Sequence, residues 1–146
     1  MSGEAGGYRL GILTVSDGVS AGEREDRSGR VIAAWGAQRG WKVAARMVVA
    51  DERTAIVRAL LQLADRDGCD LVITTGGTGF SPRDVTPEAT RSVIEREAPG
   101  LAERIRAAGR AEVPYADLSR GVAGLRRGCL VVNLPGSPSG VTDGLE

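Results

Sequence analysis

Thr74-Thr75-Gly76-Gly77-Thr78-Gly79-Phe80-Ser81-Pro82-Arg83-Asp84-Val85-Thr86-Pro87-Glu88 decides how the rest of the chain is read. An apolar run, Leu71-Val72-Ile73, leads into three glycines within four residues. A carboxylate, Asp84, follows five residues after the last of them, and Thr-Pro-Glu then reads as a helix start. Glycine permits positive φ and lets a ligand approach the backbone closely. Successive N–H groups in such a turn form a concave anion site. A carboxylate fixed beside an anion site points to a bound cation or to proton transfer. The segment reads as a phosphate-binding loop between a strand and a helix. As a dinucleotide fingerprint it fails, because Pro82 occupies the third glycine position of G-x-G-x-x-G.

Outward from this loop, strand and helix patterns alternate. Tyr8 to Val15 reads as a buried strand, and Ser16-Asp17-Gly18 as the turn after it. A helix is predicted from near Ser28 to Arg39, with Val31, Ile32 and Trp35 on one face and Gly40 as terminator. Lys42 to Ala50 reads as the second strand. Asp51 opens a helix whose apolar face holds Ile56, Leu60, Leu63 and Ala64, ended by Gly68. Leu71 to Thr75 is the third strand. Thr86 is expected to cap the next helix, with Pro87 in its first turn. Val93, Ile94, Leu101 and Ile105 mark the following helical region, interrupted at Pro99-Gly100. Val122 to Leu125 and Cys129 to Asn133 read as short strands. A second special loop, Leu134-Pro135-Gly136-Ser137-Pro138-Ser139-Gly140, precedes another helix.

This order predicts a three-layer α/β sandwich with a mostly parallel central sheet. Residues 1–7 read as a loose Gly-rich terminus, and 8–146 as a single domain. The final Gly144-Leu145-Glu146 reads as the start of a helix that continues in a longer chain. Ligands of such sheets sit beyond the carboxyl ends of the strands. Four loops lie there: Ser16-Asp17-Gly18, Ala50-Asp51-Glu52, the Thr-Gly loop and Leu-Pro-Gly.

Composition narrows the chemistry. The chain has 146 residues, 42% of them hydrophobic, which suits one domain with a full core. Nineteen basic side chains balance nineteen acidic ones, and aromatics are 3%. Nucleic-acid binding through a basic face or a stacking platform is therefore not expected. There is no histidine, which removes Ser-His-Asp, Cys-His and imidazole–metal chemistry. Cys69 and Cys129 read as reduced, buried thiols. No signal peptide or membrane span is visible, so a cytoplasmic protein is expected.

Each candidate residue has a bland reading beside the functional one. Asp51 could be an N-cap, a role compatible with binding a cation. Asp17 could simply form a turn. Asp84 is poorly placed as a cap. By composition Ser119 is an ordinary surface hydroxyl. Leu134 to Pro138 could be a stiff connector, or a loop with exposed amides beside an Asn133 that orients a ligand's polar edge.

The ordered set Thr-Gly-Gly-Thr-Gly, Arg-Asp-Val-Thr-Pro-Glu-Ala and Asn-Leu-Pro-Gly-Ser-Pro resembles the molybdopterin adenylyltransferases of the MogA/MoaB type. The G domains of gephyrin and its plant counterparts are similar. Thr14-Val15-Ser16-Asp17 and Val49-Ala50-Asp51-Glu52 belong to the same resemblance, which runs from about Tyr8 to the last residue. It implies transfer of AMP from Mg-ATP to the terminal phosphate of molybdopterin, with release of pyrophosphate. It implies Mg²⁺ as cofactor, a homotrimer or hexamer, and a molybdenum insertase as the downstream partner. Asp51 and Asp84 match the family's catalytic and Mg²⁺-binding aspartates, and Ser119 matches a serine near the reacting phosphates. Gly76, Gly77, Thr78 and Gly79 match the substrate loop, and Thr75, Ser16 and Asp17 are expected to bind substrate with it. Asn133, Pro135 and Gly136 match the second substrate loop. Two further readings compete: a molybdopterin-binding carrier without catalysis, and a phosphatase using Asp51 or Asp84 as nucleophile. The second lacks an Asp-x-Asp pattern.

Overall fold

The computed structural model describes residues 7–110, 116–136 and 145. The first strand, β1 (Arg9–Val15), is the axis of the fold, and four of its residues have no exposed surface or almost none: Leu10, Ile12, Leu13 and Val15. Leu10 and Ile12 pack on one side of the sheet, Leu13 and Val15 on the other. Such two-sided burial is what a parallel strand covered by helices requires. β2 (Lys42–Val49), β3 (Leu71–Thr75) and β6 (Cys129–Leu134) run parallel to it, whereas β5 (Ala123–Arg126) and β4 (Arg96–Glu97) are antiparallel. The sheet order is β2-β1-β3-β6-β5-β4.

Helices cover both faces, giving the expected three layers. α3 (Arg53–Leu61) and α4 (Thr86–Arg91) pack through Ile56, Leu60 and Ala89 against Leu13, Val72 and Val131. α2 (Arg27–Gln38) and α5 (Pro99–Arg110) pack through Ile32, Leu101 and Ile105 on the opposite face, against Ile12, Ile73 and Val132. Leu145 is helical and joins this second cluster. Both cysteines are free and buried. Burial pushes the Cys69 thiol up to about 11 and the Cys129 thiol up to about 12, so neither is a thiolate near neutral pH.

Several local expectations are corrected. Asp51 does not cap α3; the N-cap is Glu52, without a side-chain bond, because the Asp51 carboxylate is engaged by the β1 loop instead. Thr86 is not the cap of α4 either. Val85 holds that position, and Thr86, inside the helix, donates its hydroxyl to the Gly76 carbonyl at 3.0 Å. The helical region after Thr86 breaks earlier than expected. α4 stops at Arg91, and the two-residue edge strand β4 intervenes before Pro99 opens α5. Ser16-Asp17-Gly18 is not a plain turn. Ser16 caps a one-turn helix, α1 (Asp17–Ser20), accepting from the Val19 amide at 3.2 Å. Residues 1–6, the loop residues Ser137 to Gly140 and all but Leu145 of the expected final helix lie outside the described residues. Among the described residues, no helix is long and apolar enough to cross a membrane.

Candidate functional site

β1 sits between β2 and β3, so connections leave it in both directions and open a crevice at its carboxyl end. Open α/β sheets bind ligands at such a point. Here a cavity of about 850 Å³ lies beyond β1 and β3. Its floor is Val15, Thr75, Gly76 and Gly77, with Ser16, Asp51, Asp84 and Gly136 around it. The α1–α2 connection and the first residues of α2, from Glu23 to Ser28, form the far wall. All four strand-end loops contribute.

The glycine loop is shaped by two positive φ angles, 99° at Gly76 and 69° at Gly77. A Cβ at Gly76 would collide with the Val15 carbonyl, and one at Gly77 with the Thr86 hydroxyl. Backbone sterics therefore demand glycine at both positions. The Gly76 amide donates to Leu134 O at 3.1 Å. The amides of Gly77, Thr78 and Gly79 have no acceptor among the described residues. Of the three residues, Gly77 lines the cavity, and its amide is a donor an anion there would take up.

Arg120 fastens this loop from outside. It donates to Gly79 O at 2.7 Å and Asp84 O at 2.8 Å, pairs with Glu88 at 2.6 Å and stacks on Phe80. The sequence reading missed it. Its position next to Ser119 in Leu-Ser-Arg was the available signal.

Asp51 enters from the end of β2. Its Oδ2 accepts from the Asp17 amide at 2.9 Å, and its Oδ1 has no donor among the described residues. Burial pushes its carboxyl upward, and the charges of Asp17 and Asp84 add to that push, against the Asp17 amide's bond. An anionic carboxylate crowded by two others is a place for a cation. Among the described residues, no group of three or more His, Cys, Asp or Glu side chains could hold a metal ion. Asp51 and Asp84 nonetheless fit Mg²⁺, which commonly takes one or two carboxylates and completes its shell with water and substrate phosphates. Asp17 behaves oppositely. Hydrogen bonds from Arg83, then from the Asp51 amide, hold its carboxyl below the usual range.

The other expected site residues are placed differently. Asn133 is buried, and its side chain is fully used. Its Nδ2 donates to the hydroxyls of Thr74 and Thr90 at 2.9 and 3.0 Å, and its Oδ1 accepts from the Val122 amide at 3.1 Å. It braces the sheet under the loops and presents no polar edge to the cavity. Thr75 donates its hydroxyl to the Pro135 carbonyl at 2.7 Å, tying the two loops together. Ser28 does the same for Gly136 O at 2.6 Å. Thr78 is buried beneath the loop. Ser119 does not line the main cavity. It borders a second one of about 330 Å³, with Arg91, Arg106 and Arg120.

The profile of the family described as probable molybdopterin binding domain matches residues 11–146. The chain belongs to this family. Among curated proteins it is similar to the molybdopterin adenylyltransferase of Helicobacter pylori J99, at 42% identity over 94% of this chain and 79% of the relative. The Escherichia coli K12 protein of the same name is 38% identical, over 94% of this chain and 72% of the relative. Among solved structures, the molybdopterin biosynthesis enzyme MoaB from Thermus thermophilus is 51% identical, with a TM-score of 0.89. That match covers 95% of this chain and 87% of the other. The tungsten cofactor synthesizing protein MoaB from Pyrococcus furiosus is 36% identical, with a TM-score of 0.87 over 94% and 88%.

Proposed function

We propose that this chain is a molybdopterin adenylyltransferase of molybdenum cofactor biosynthesis, transferring AMP from ATP to the terminal phosphate of molybdopterin. The observation that carries the reading is Asp51 with an unpaired oxygen, beside Asp84, in a cavity that the glycine loop lines through Gly76 and Gly77, where the Gly77 amide is unbonded. In the transfer, an oxygen of the pterin phosphate forms a new bond to the α-phosphorus of ATP. The bond from that phosphorus to the bridging oxygen breaks, and its electron pair leaves with pyrophosphate. A phosphate monoester is already largely ionised near neutral pH, so the nucleophile needs no histidine base. The problem is one of charge and alignment between two polyanions.

The amides of Gly77, Thr78 and Gly79 supply fixed dipoles to phosphate oxygens. Asp51 and Asp84 would hold Mg²⁺, which when bound neutralises phosphate charge and orients the leaving group. Arg120 keeps the loop in place from behind. The Pro135–Gly136 backbone, tied by Thr75 and Ser28, closes the side towards β6. Family habit adds a homotrimer or hexamer in the cytoplasm, handing its product to a molybdenum insertase.

A carrier that binds molybdopterin without reacting would use the same cavity. The relatives' names as adenylyltransferases favour catalysis. Incubation with molybdopterin, ATP and Mg²⁺ should yield adenylylated pterin and pyrophosphate by mass detection. Tight pterin binding without pyrophosphate would establish the carrier.

A further inference from the structure

Asp17 and Arg83 take no part in the chemistry above, yet their geometry is specific. The Asp17 amide donates to Asp51 Oδ2 at 2.9 Å, and the Asp51 amide donates back to Asp17 Oδ1 at 3.0 Å. The ends of β1 and β2 are thus joined by one bond in each direction. Arg83, from the loop after β3, grips the same Asp17 carboxylate with both prongs of its guanidinium. Its Nη2 reaches Oδ1 at 2.8 Å and its Nε reaches Oδ2 at 3.1 Å. Both Asp17 oxygens are therefore taken. The remaining anionic oxygen is Asp51 Oδ1, which lies 3.2 Å from where a Cβ on Gly77 would stand. It is aimed at the phosphate loop.

We propose that Asp17 and Arg83 are positioning residues: they hold the Asp51 carboxylate with Oδ1 toward the glycine loop, and neither is a ligand of substrate. Three strand ends meet in this one contact, so the arrangement sets the distance between Asp51 and the loop carrying Asp84. Arg83 also neutralises Asp17, whose charge would otherwise repel Asp51. The Arg83 side chain is 60% exposed and that of Asp17 49%. Exposed pairs add little to folding stability. The effect falls on geometry, where a misplacement of about 1 Å costs as much as ~10²-fold in rate.

The inference rests on the adenylyl-transfer reading, and the test separates the two. Wild-type turnover examines that reading by itself. For the positioning role, Asp17→Asn, Arg83→Gln and the double variant are compared. Each single variant is expected to lower kcat about tenfold with KM for ATP and molybdopterin within about twofold. The double variant should be no slower than the worse single, because both act through one contact. Melting temperatures should stay within about 2 °C. Raised KM with unchanged kcat, or effects that multiply in the double variant, would show direct substrate contact and overturn the proposal. Unchanged kcat and KM in both single variants would overturn it as well.

A readout without turnover uses Mn²⁺, followed by electron paramagnetic resonance in protein holding a non-hydrolysable ATP analogue. Positioning predicts weaker Mn²⁺ binding in Arg83→Gln, although a cation has been removed nearby. Tighter binding would mean that Arg83 acts only as a charge. Should Asp17→Asn fail to fold, Arg83→Gln carries both readouts.

Discussion

Asp51 and Asn133 sit near the carboxyl ends of two strands of one sheet, β2 and β6, and treat polar groups in opposite ways. Around Asn133 every capacity is filled: two hydroxyls accept its amide hydrogens, and its oxygen takes the Val122 amide. Around Asp51 capacity is left over, in one carboxylate oxygen and three loop amides. Burial raises the cost of that charge, and neighbouring carboxylates raise it further. A fold tolerates such unmet capacity where a ligand fills it. The saturated region is the brace, and the unsaturated one is where the proposed reaction would place its polyanions and cation. Both are polar and both lie at the carboxyl side of the sheet, Asn133 in the last residues of β6 and Asp51 just past β2, so polarity alone does not separate them.

The largest expected effect breaks the unsaturated side. Asp84→Asn should cut kcat by ~10²–10³, the size seen when one electrostatic contact to a charged transition state is lost. Its bond to the Ser81 amide can persist through the Asn oxygen, so the melting temperature should barely move. Wild-type turnover in the folded variant would remove Asp84 from the site.

Asn133→Leu breaks the other side. It strands the Val122 amide and two buried hydroxyls, and should lower unfolding free energy in urea by about 3 kcal/mol. The folded fraction should keep kcat within about fivefold, since the side chain is buried and does not line the cavity. Gly77→Ala lies at the junction and should harm both properties. The left-handed backbone costs about 1–2 kcal/mol, and the new methyl meets Thr86. Calorimetry and molybdopterin titration would read the two losses separately. Ser119→Ala, at the second cavity and outside the main one, should change transfer by no more than a few-fold with substrate affinity little changed, as a neutral hydrogen bond contributes about 0.5–1.5 kcal/mol. Trapping an adduct on Ser119 would contradict direct transfer.

The smallest effect concerns pH. Hydrogen bonds from Arg120 hold the Glu88 carboxyl below its usual value. Its stabilisation is complete above the unfolded pKa and is lost as pH falls through the lower folded one. Glu88→Gln should flatten that acid limb of the stability curve slightly, because the pair is partly exposed.

The sheet and its main helices were legible because apolar runs such as Leu71-Val72-Ile73 and helical spacing at Ile56, Leu60 and Leu63 report burial directly. The glycine loop was legible because Gly76 and Gly77 have no steric substitute there. The failures were mostly long-range. Asp51 looked like a helix cap because the Asp17 amide that claims it lies 34 residues away. The brace around Asn133 was equally hidden, because its partners Thr74 and Thr90 are 59 and 43 residues distant. β4 has two exposed charged residues, Arg96 and Glu97, and carries no apolar signal at all. Side-chain partners across strands decide such roles, and spacing along the chain does not encode them.

The most direct test of the contrast pairs Asp51→Asn with Asn133→Leu, each assayed for adenylyl transfer and for thermal melting. Asn at position 51 can still accept from the Asp17 amide while removing a charge that burial disfavours. Asp51→Asn should therefore melt no lower than wild type yet lose transfer by ~10²-fold or more. Asn133→Leu should melt lower and, once folded, still transfer. A stable, fully active Asp51→Asn protein would contradict the account.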